Sequence, residues 1–309
     1  MVRIRIERLT TRVAGMVLCL LAHTAQAQTV FACEPEWAAL TRVLLPEAKV
    51  FVATHAGQDP HHIEARPALI AQLRSADMAV CTGADLEAGW LPTLQQRAGN
   101  AKVQDGAPGM FYAADNVVLI DPQPGAVGSP FAGDVHAAGN PHLHTDPHRI
   151  LVVSQALSEQ FQKLQPAKKQ AIAKRQADFE AAWKARLTAW ERRAAPLRGR
   201  EVVAQHSGFA YLWRWLGLKQ VADLEPQPGM APTPGHLQRL LTQLRAQPPA
   251  VVVVSSYQDP RSARWLIGQL GGKLPLLVLP ATVNDPSAPD ALGLWFDQLL
   301  DELLKAVER

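Results

Sequence analysis

The feature that most restricts this chain is an alternation, run through twice, of short apolar strand-like stretches with helical ones. In the first half the strand-like runs are 29–33, 49–53, 77–81, 102–104 and 117–120, with helices expected over 34–45, 67–74 and 86–98. In the second half they are 201–204, 220–224, 250–255 and 276–279, with helices over 207–216, 233–246, 260–271 and 290–307. Strands separated by helical crossovers pair in parallel, and their sheet is covered on both faces. The expected fold class is therefore α/β, with two Rossmann-like lobes built on mainly parallel sheets.

Between the halves the pattern turns purely helical. A helix begins at Pro147, and after Pro166 a second run continues to about Ala194. Its apolar positions Ile172, Phe179, Trp183, Leu187 and Trp190 recur at spacings of seven, four, four and three, a single helical stripe. Nearly thirty residues at 1.5 Å each give roughly 40 Å, enough to cross a domain as a rigid strut. The expected division is 1–27 as a leader, 28–146 as the N-terminal lobe, 147–199 as the helical connector and 200–309 as the C-terminal lobe.

The leader reads as a secretory signal peptide. Arg3, Arg5, Arg8 and Arg12 precede the apolar run Val13 to Ala22, and Ala25-Gln26-Ala27 supplies a small-x-small cleavage pattern. Cleavage near Ala27 and a periplasmic destination are expected. Cys19 lacks the flanking residues of a lipid-attachment site. The whole chain carries 31 Lys+Arg and 28 Asp+Glu; without the leader, 27 of each sign remain, so no basic surplus argues for nucleic acid. Cys33 and Cys81 survive cleavage, each at the end of a strand-like run, and in an oxidising compartment they are candidates for a disulfide or for two buried thiols.

Histidine gathers at three places. These are Asp59-Pro60-His61-His62-Ile63-Glu64, the run Asn140-Pro141-His142-Leu143-His144-Thr145-Asp146-Pro147-His148, and Gln205-His206-Ser207. Imidazole suits zinc, copper, iron and nickel, yet one loop cannot close a tetrahedral site alone, so ligands must be pooled. Ligands in open α/β sheets lie beyond the carboxyl ends of the strands, where His61 and His206 each follow a run, and a cleft between two lobes would gather them. Residues 122–142 form a Gly/Pro/Ala-rich loop containing Asp134 and His136. A loop of that length is commonly functional. His136 there reads either as a transient metal contact or as a loop histidine with a local hydrogen bond.

From about Thr29 to Glu308 the chain resembles the periplasmic substrate-binding proteins of bacterial ABC importers for zinc and manganese, in which one long helix joins two α/β lobes. Asp59-Pro60-His61, Asn140-Pro141-His142 and His206-Ser207-Gly208-Phe209-Ala210-Tyr211-Leu212 are similar to the three metal motifs of that family. The resemblance implies that His61, His142 and His206 are the metal ligands, with His62, His144 and His148 behind them or at the surface. It departs at the fourth ligand, where many members place an acidic residue after the last strand and this chain reads Leu279-Pro280-Ala281-Thr282-Val283-Asn284-Asp285. Asp259, Asp285 or a water is the expected fourth ligand, although Asp259 also suits a helix cap and Asp285 a turn.

The resemblance further implies no enzymatic activity. It implies capture of Zn(II), with Mn(II) less favoured because the set holds little carboxylate. Delivery to an inner-membrane permease follows from it too, with a periplasmic metallochaperone as a further partner and a monomeric protein. The rival reading is an exported zinc-dependent hydrolase with a three-His site and Glu64 as general base.

Overall fold

Alternate residues of the central strands face different cores. The computed structural model describes residues 27–123 and 134–308, so the leader expected at 1–27 lies, except for Ala27, outside the described residues. In the N-terminal lobe, β1 (Thr29–Ala32) lies between β2 (Lys49–Val52) and β3 (Met78–Cys81), and β4 (Met110–Tyr112) completes a parallel sheet of order β2-β1-β3-β4. The C-terminal lobe repeats this with β5 (Glu201–Ala204), β6 (Lys219–Asp223), β7 (Val251–Ser255) and β8 (Leu276–Leu279) in the order β6-β5-β7-β8, again parallel. Side chains of a strand point alternately to its two faces. Val30 and Ala32 thus enter a central core with Val202, Val251 and Val253, while Phe31 and Cys33 enter an outer N-terminal core and Val203, Val252 and Val254 an outer C-terminal one.

The outer cores are closed by α2 (Pro67–Arg74) and α3 (Leu91–Ala98) in one lobe, and by α7 (Pro234–Ala246) and α8 (Arg261–Gln269) in the other. The central core is continuous across both lobes. It contains α1 (Pro35–Leu44), α4 (Pro147–Leu164), α5 (Lys169–Arg193), α6 (Ala210–Leu216) and α9 (Ala291–Val307). α5 is the expected strut, 25 residues and hence about 37 Å long, with Ile172, Trp183, Leu187 and Trp190 buried along one side. No helix of the described residues is long and apolar enough to cross a membrane.

Two expected strands are not strands. Residues 101–103 form a 3-10 turn because the Asn100 side chain accepts from Lys102 N at 3.1 Å, and the fourth strand forms instead at 110–112. The run 117–120 stays out of the sheet, and its Ile120 N–H donates to the Tyr211 hydroxyl at 3.1 Å. Helix α3 starts at Leu91 rather than 86, after a turn in which Ala84 and Asp85 take positive φ.

Cys33 and Cys81 form a disulfide with a Cα separation of 4.8 Å. The parallel register places Ala32 beside Val80, and Cys33 N donates to Val80 O, so the two cysteines arrive side by side. Closing a loop across 48 residues stabilises the fold by roughly 4 kcal/mol in the chain-entropy model. Thermal unfolding with and without reductant checks this: reduction, or Cys33→Ser with Cys81→Ser, lowers stability by about 2–5 kcal/mol.

Candidate metal centre

Three loops leave the carboxyl ends of the two sheets and meet. His61 stands on the loop after β2, His142 on the approach to α4, and His206 just past β5. All three are buried, at 6%, 4% and 5% exposure, although each sits outside regular structure. Their ring centroids are separated by 5.3 Å (His61–His142), 5.3 Å (His142–His206) and 5.8 Å (His61–His206). One ring nitrogen from each lies within 4.8 Å of the others.

The same local device aims two of these rings. In Asp59-Pro60-His61, Asp59 Oδ1 accepts from His61 N at 3.0 Å and pairs with His61 Nδ1 at 2.7 Å. In Asn140-Pro141-His142, Asn140 Oδ1 accepts from His142 N at 2.9 Å and pairs with Nδ1 at 2.9 Å. A short acceptor two residues ahead, with proline fixing φ between, turns the backbone and locks the imidazole in one step. His206 has no such neighbour; its Nδ1 pairs with Glu225 Oε2 at 2.8 Å, from just beyond the adjacent strand β6. Every Nδ1 is thereby held, so each ring presents Nε2.

These three Nε2 atoms are buried and have no hydrogen-bond partner. Buried polar atoms are seldom left unpaired, and three converging imidazole nitrogens fit a borderline-soft divalent cation whose ligands are oriented through their far nitrogen. Burial first, then the charges of His206 and His61, hold His142 well below the usual imidazole range. Burial also pulls His206 down, but the hydrogen bond and charge of Glu225 outweigh it and leave it raised. Burial pushes the Asp59 carboxyl up, whereas its bonds to His61 hold it well below the usual range.

Partners on both lobes brace the arrangement. Asn140 Nδ2 donates to Ser207 O at 3.0 Å, Tyr211 donates to Asn140 O at 2.6 Å, and Trp90 Nε1 donates to Pro60 O at 2.8 Å. Gly139 has φ of +130°, and a Cβ there would sit 2.7 Å from both Ile120 O and Leu119 Cβ, so only glycine lets the 140–142 turn pack this closely.

The other candidates sit elsewhere. His144 points its Nε2 at Ala281 O, 3.0 Å away, has Nδ1 3.4 Å from Glu36 Oε1 and stacks on Trp295. His62 is exposed, and His148 pairs with Glu191 at the surface. Glu64, the general base of the hydrolase reading, is exposed.

Neither carboxylate expected as the fourth ligand joins the group of three imidazoles. Asp259 is spent locally on Arg261, accepting from its N at 2.9 Å and pairing with its guanidinium in solvent. Asp285 accepts from Ser287 N at 2.8 Å and from the Ser287 hydroxyl at 2.5 Å. Each precedes a proline; Asp285 closes a turn, as the sequence also allowed, whereas the helix cap allowed for Asp259 does not form, since Pro260 stands at the N-cap of α8. The acidic groups beside the imidazoles are Asp59, Asp134 and Glu225. The sequence reading did not single out Glu225, whose only signal was its place at the carboxyl end of β6.

His136 is the remaining imidazole of the neighbourhood, with its ring centroid 5.4 Å from that of His61. Both of its ring nitrogens are buried without a full hydrogen bond, and the Ala84 backbone is the polar group close enough to raise the imidazole. Burial, then the charges of His61 and His206, push it down to about 3.

Comparison with known proteins agrees with this architecture. Residues 30–306 match the family model described as ZnuA, zinc-uptake complex component A, periplasmic. The zinc-binding lipoprotein AdcA of Streptococcus pneumoniae serotype 4 is 24% identical over 266 residues, covering 85% of this chain and 51% of that protein. The high-affinity zinc uptake system protein ZnuA of Bacillus subtilis is 24% identical over 221 residues, covering 71% of this chain and 67% of that protein. The chain thus spans about half the length of the AdcA relatives it matches.

A crystal structure of ZnuA superposes with a TM-score of 0.74 at 18% identity, over 91% of this chain and 99% of that one. The substrate-binding protein FpvC of Pseudomonas aeruginosa, in complex with Mn2+, gives 0.69 at 20% identity, over 91% and 98%. With the family model covering nearly the whole of two parallel-sheet lobes and the helix between them, the chain belongs to the ZnuA family of periplasmic zinc-uptake components, which are metal-binding transport proteins and not enzymes.

Proposed function

We propose that this protein is the extracytoplasmic solute-binding component of an ABC importer, capturing Zn(II) between its lobes and delivering it to a membrane permease. His61, His142 and His206 are the ligands, each through Nε2. The observation that carries the reading is the set of three buried, unpartnered Nε2 atoms, each aimed by a hydrogen bond at its own Nδ1. The division of labour follows the chain: 28–146 and 200–309 are the lobes, 147–199 is the connector, and 1–27 is an export signal.

The donor set selects the metal. The carboxylates Asp59 and Glu225 engage Nδ1, on the far side of the rings from the point where the cation sits. A nitrogen-rich set favours Zn(II) over the harder Mn(II). A strut packed into both lobes opposes wide hinge opening, so uptake and release run through the loops that carry the histidines.

Calorimetric titration of the metal-free protein with each ion tests the proposal. One equivalent of Zn(II), bound at least tenfold more tightly than Mn(II), is expected. Preference for Mn(II), or zinc-dependent turnover of a model ester that chelation abolishes, would return the site to another class.

A further inference from the structure

The three imidazoles leave one corner of a tetrahedron open, and no carboxylate among the described residues joins their group. Asp59 and Asp134 lie on the Nδ1 side of His61, at 2.7 and 3.9 Å, behind the ring instead of before it. After β8, where the family pattern places an acidic residue, the Ala281 carbonyl accepts from His144 and the Thr282 hydroxyl donates to Glu36.

We infer that His136 closes the fourth corner, so that the captured ion is held by four imidazoles, with His136 delivered by the short segment between Asp134 and Asn140. This rests on the capture site proposed above and adds a ligand to it. Its ring stands 5.4 Å from that of His61, a spacing like the 5.3–5.8 Å that the other three keep among themselves, but its nitrogens lie outside the group those three share, so His136 must swing inward to ligate. Its two ring nitrogens are buried and unpaired, a condition otherwise met among the ring nitrogens of this neighbourhood by the three Nε2 atoms and by His144 Nδ1. His144 is already spent on Ala281, whereas His136 makes no full hydrogen bond, the Ala84 backbone being the polar group close enough to raise it.

The segment is anchored at both ends and held between them by two longer bonds, Gln123 N to Ala137 O and Gly139 N to His136 O, each 3.2 Å. Asp134 N donates to Pro228 O at 2.8 Å, tying one end to the C-terminal lobe, and Asn140 N donates to Ile120 O at 2.8 Å, tying the other to the N-terminal lobe. Gly229, with φ of +78°, lets Asp134 approach: a Cβ there would sit 2.7 Å from Asp134 Cγ. Zinc ligands at about 2.0–2.1 Å from the metal are roughly 3.3 Å from one another, so all four rings move inward on binding. His136 is the one whose backbone lies between two tethers on opposite lobes, and ligation by it couples ion capture to the fixing of that strap.

The test uses the full mature chain, labelled with 15N at histidine and loaded with 113Cd as the probe. Long-range couplings identify each coordinated imidazole nitrogen. Coupling to His61, His142, His206 and His136 is expected, together with a 10–100-fold loss of zinc affinity in His136→Gln at unchanged one-to-one stoichiometry. Three coupled imidazoles, with His136 keeping its metal-free shifts, overturn the assignment and leave the three-His capture site standing. No coupling to His61, His142 or His206 overturns that capture site itself and the role of His136 with it. Because the count is made on the unaltered protein, a folding defect in the variant cannot decide the outcome.

Discussion

His206→Ala lowers zinc affinity by at least a hundredfold, and His61→Ala and His142→Ala do the same, because each removes one of the three buried nitrogens that converge on one point. Glu225→Gln is the more informative change. It keeps an acceptor near His206 Nδ1 but removes the charge that raises the imidazole. The less basic ring binds zinc about 10–100-fold more weakly at high pH, the usual cost of altering a partner behind a metal-bound histidine.

The pH profile then separates this role from a merely structural one. Zinc bound through His206 would have to displace its proton, so in the unaltered protein affinity is expected to fall as pH drops through that raised value, by about tenfold per unit for each proton displaced. His142, held low by burial, stays neutral over that window. In Glu225→Gln the fall moves to lower pH. The sign for stability of the metal-free protein is the reverse: a raised His206 contributes stability that is fully present below pH of about 6.5 and is lost as pH rises through the raised value. Superimposable zinc-affinity profiles for the two proteins would refute the assignment of Glu225.

The second large effect concerns the strut. Trp190→Ala is expected to cost roughly 3–5 kcal/mol in urea unfolding, the range for emptying a large aromatic site in a closed core. Trp190 is 1% exposed, packs its ring against Trp183, Phe296 and Trp215 at 5.3, 5.4 and 6.1 Å, and donates its indole N–H to Asp297 Oδ1 at 2.8 Å. It therefore joins α5 to α6 and α9 of the C-terminal lobe. On the opposite face of the same helix, the exposed pair Lys174–Asp178 contributes only a few tenths of a kcal/mol. Zinc stoichiometry in Trp190→Ala remains one, since no group of the metal centre touches that ring. A cost below about 1 kcal/mol would mean that the strut is not held by this aromatic cluster.

Much of this was legible beforehand because it rests on short-range patterns. Short continuous apolar runs in Thr29–Ala32 and Val251–Ser255, set between helical stretches, announced buried parallel strands, and the Trp183–Leu187–Trp190 spacing announced a helical stripe. Asp59-Pro60-His61 and Asn140-Pro141-His142 carry their own aiming device within three residues, which is why two of the candidate ligands could be read from local sequence. Where local signals competed, the reading failed: Ala101–Val103 looked like a strand until the Asn100 side chain claimed its backbone.

What the residues determined alone were the elements, their parallel pairing, the export-compatible cysteine pair and the histidines worth watching. Which carboxylate backs which imidazole was decided only by the tertiary structure. Glu225 reaches His206 across 19 residues because β6 lies beside β5, and Asp259 turns to Arg261 because its own backbone offers a nearer donor than any distant cleft. Hydrogen bonds within two or three residues are encoded by the chain's covalent geometry, whereas those between strand edges depend on sheet order, and no single stretch of sequence contains that order.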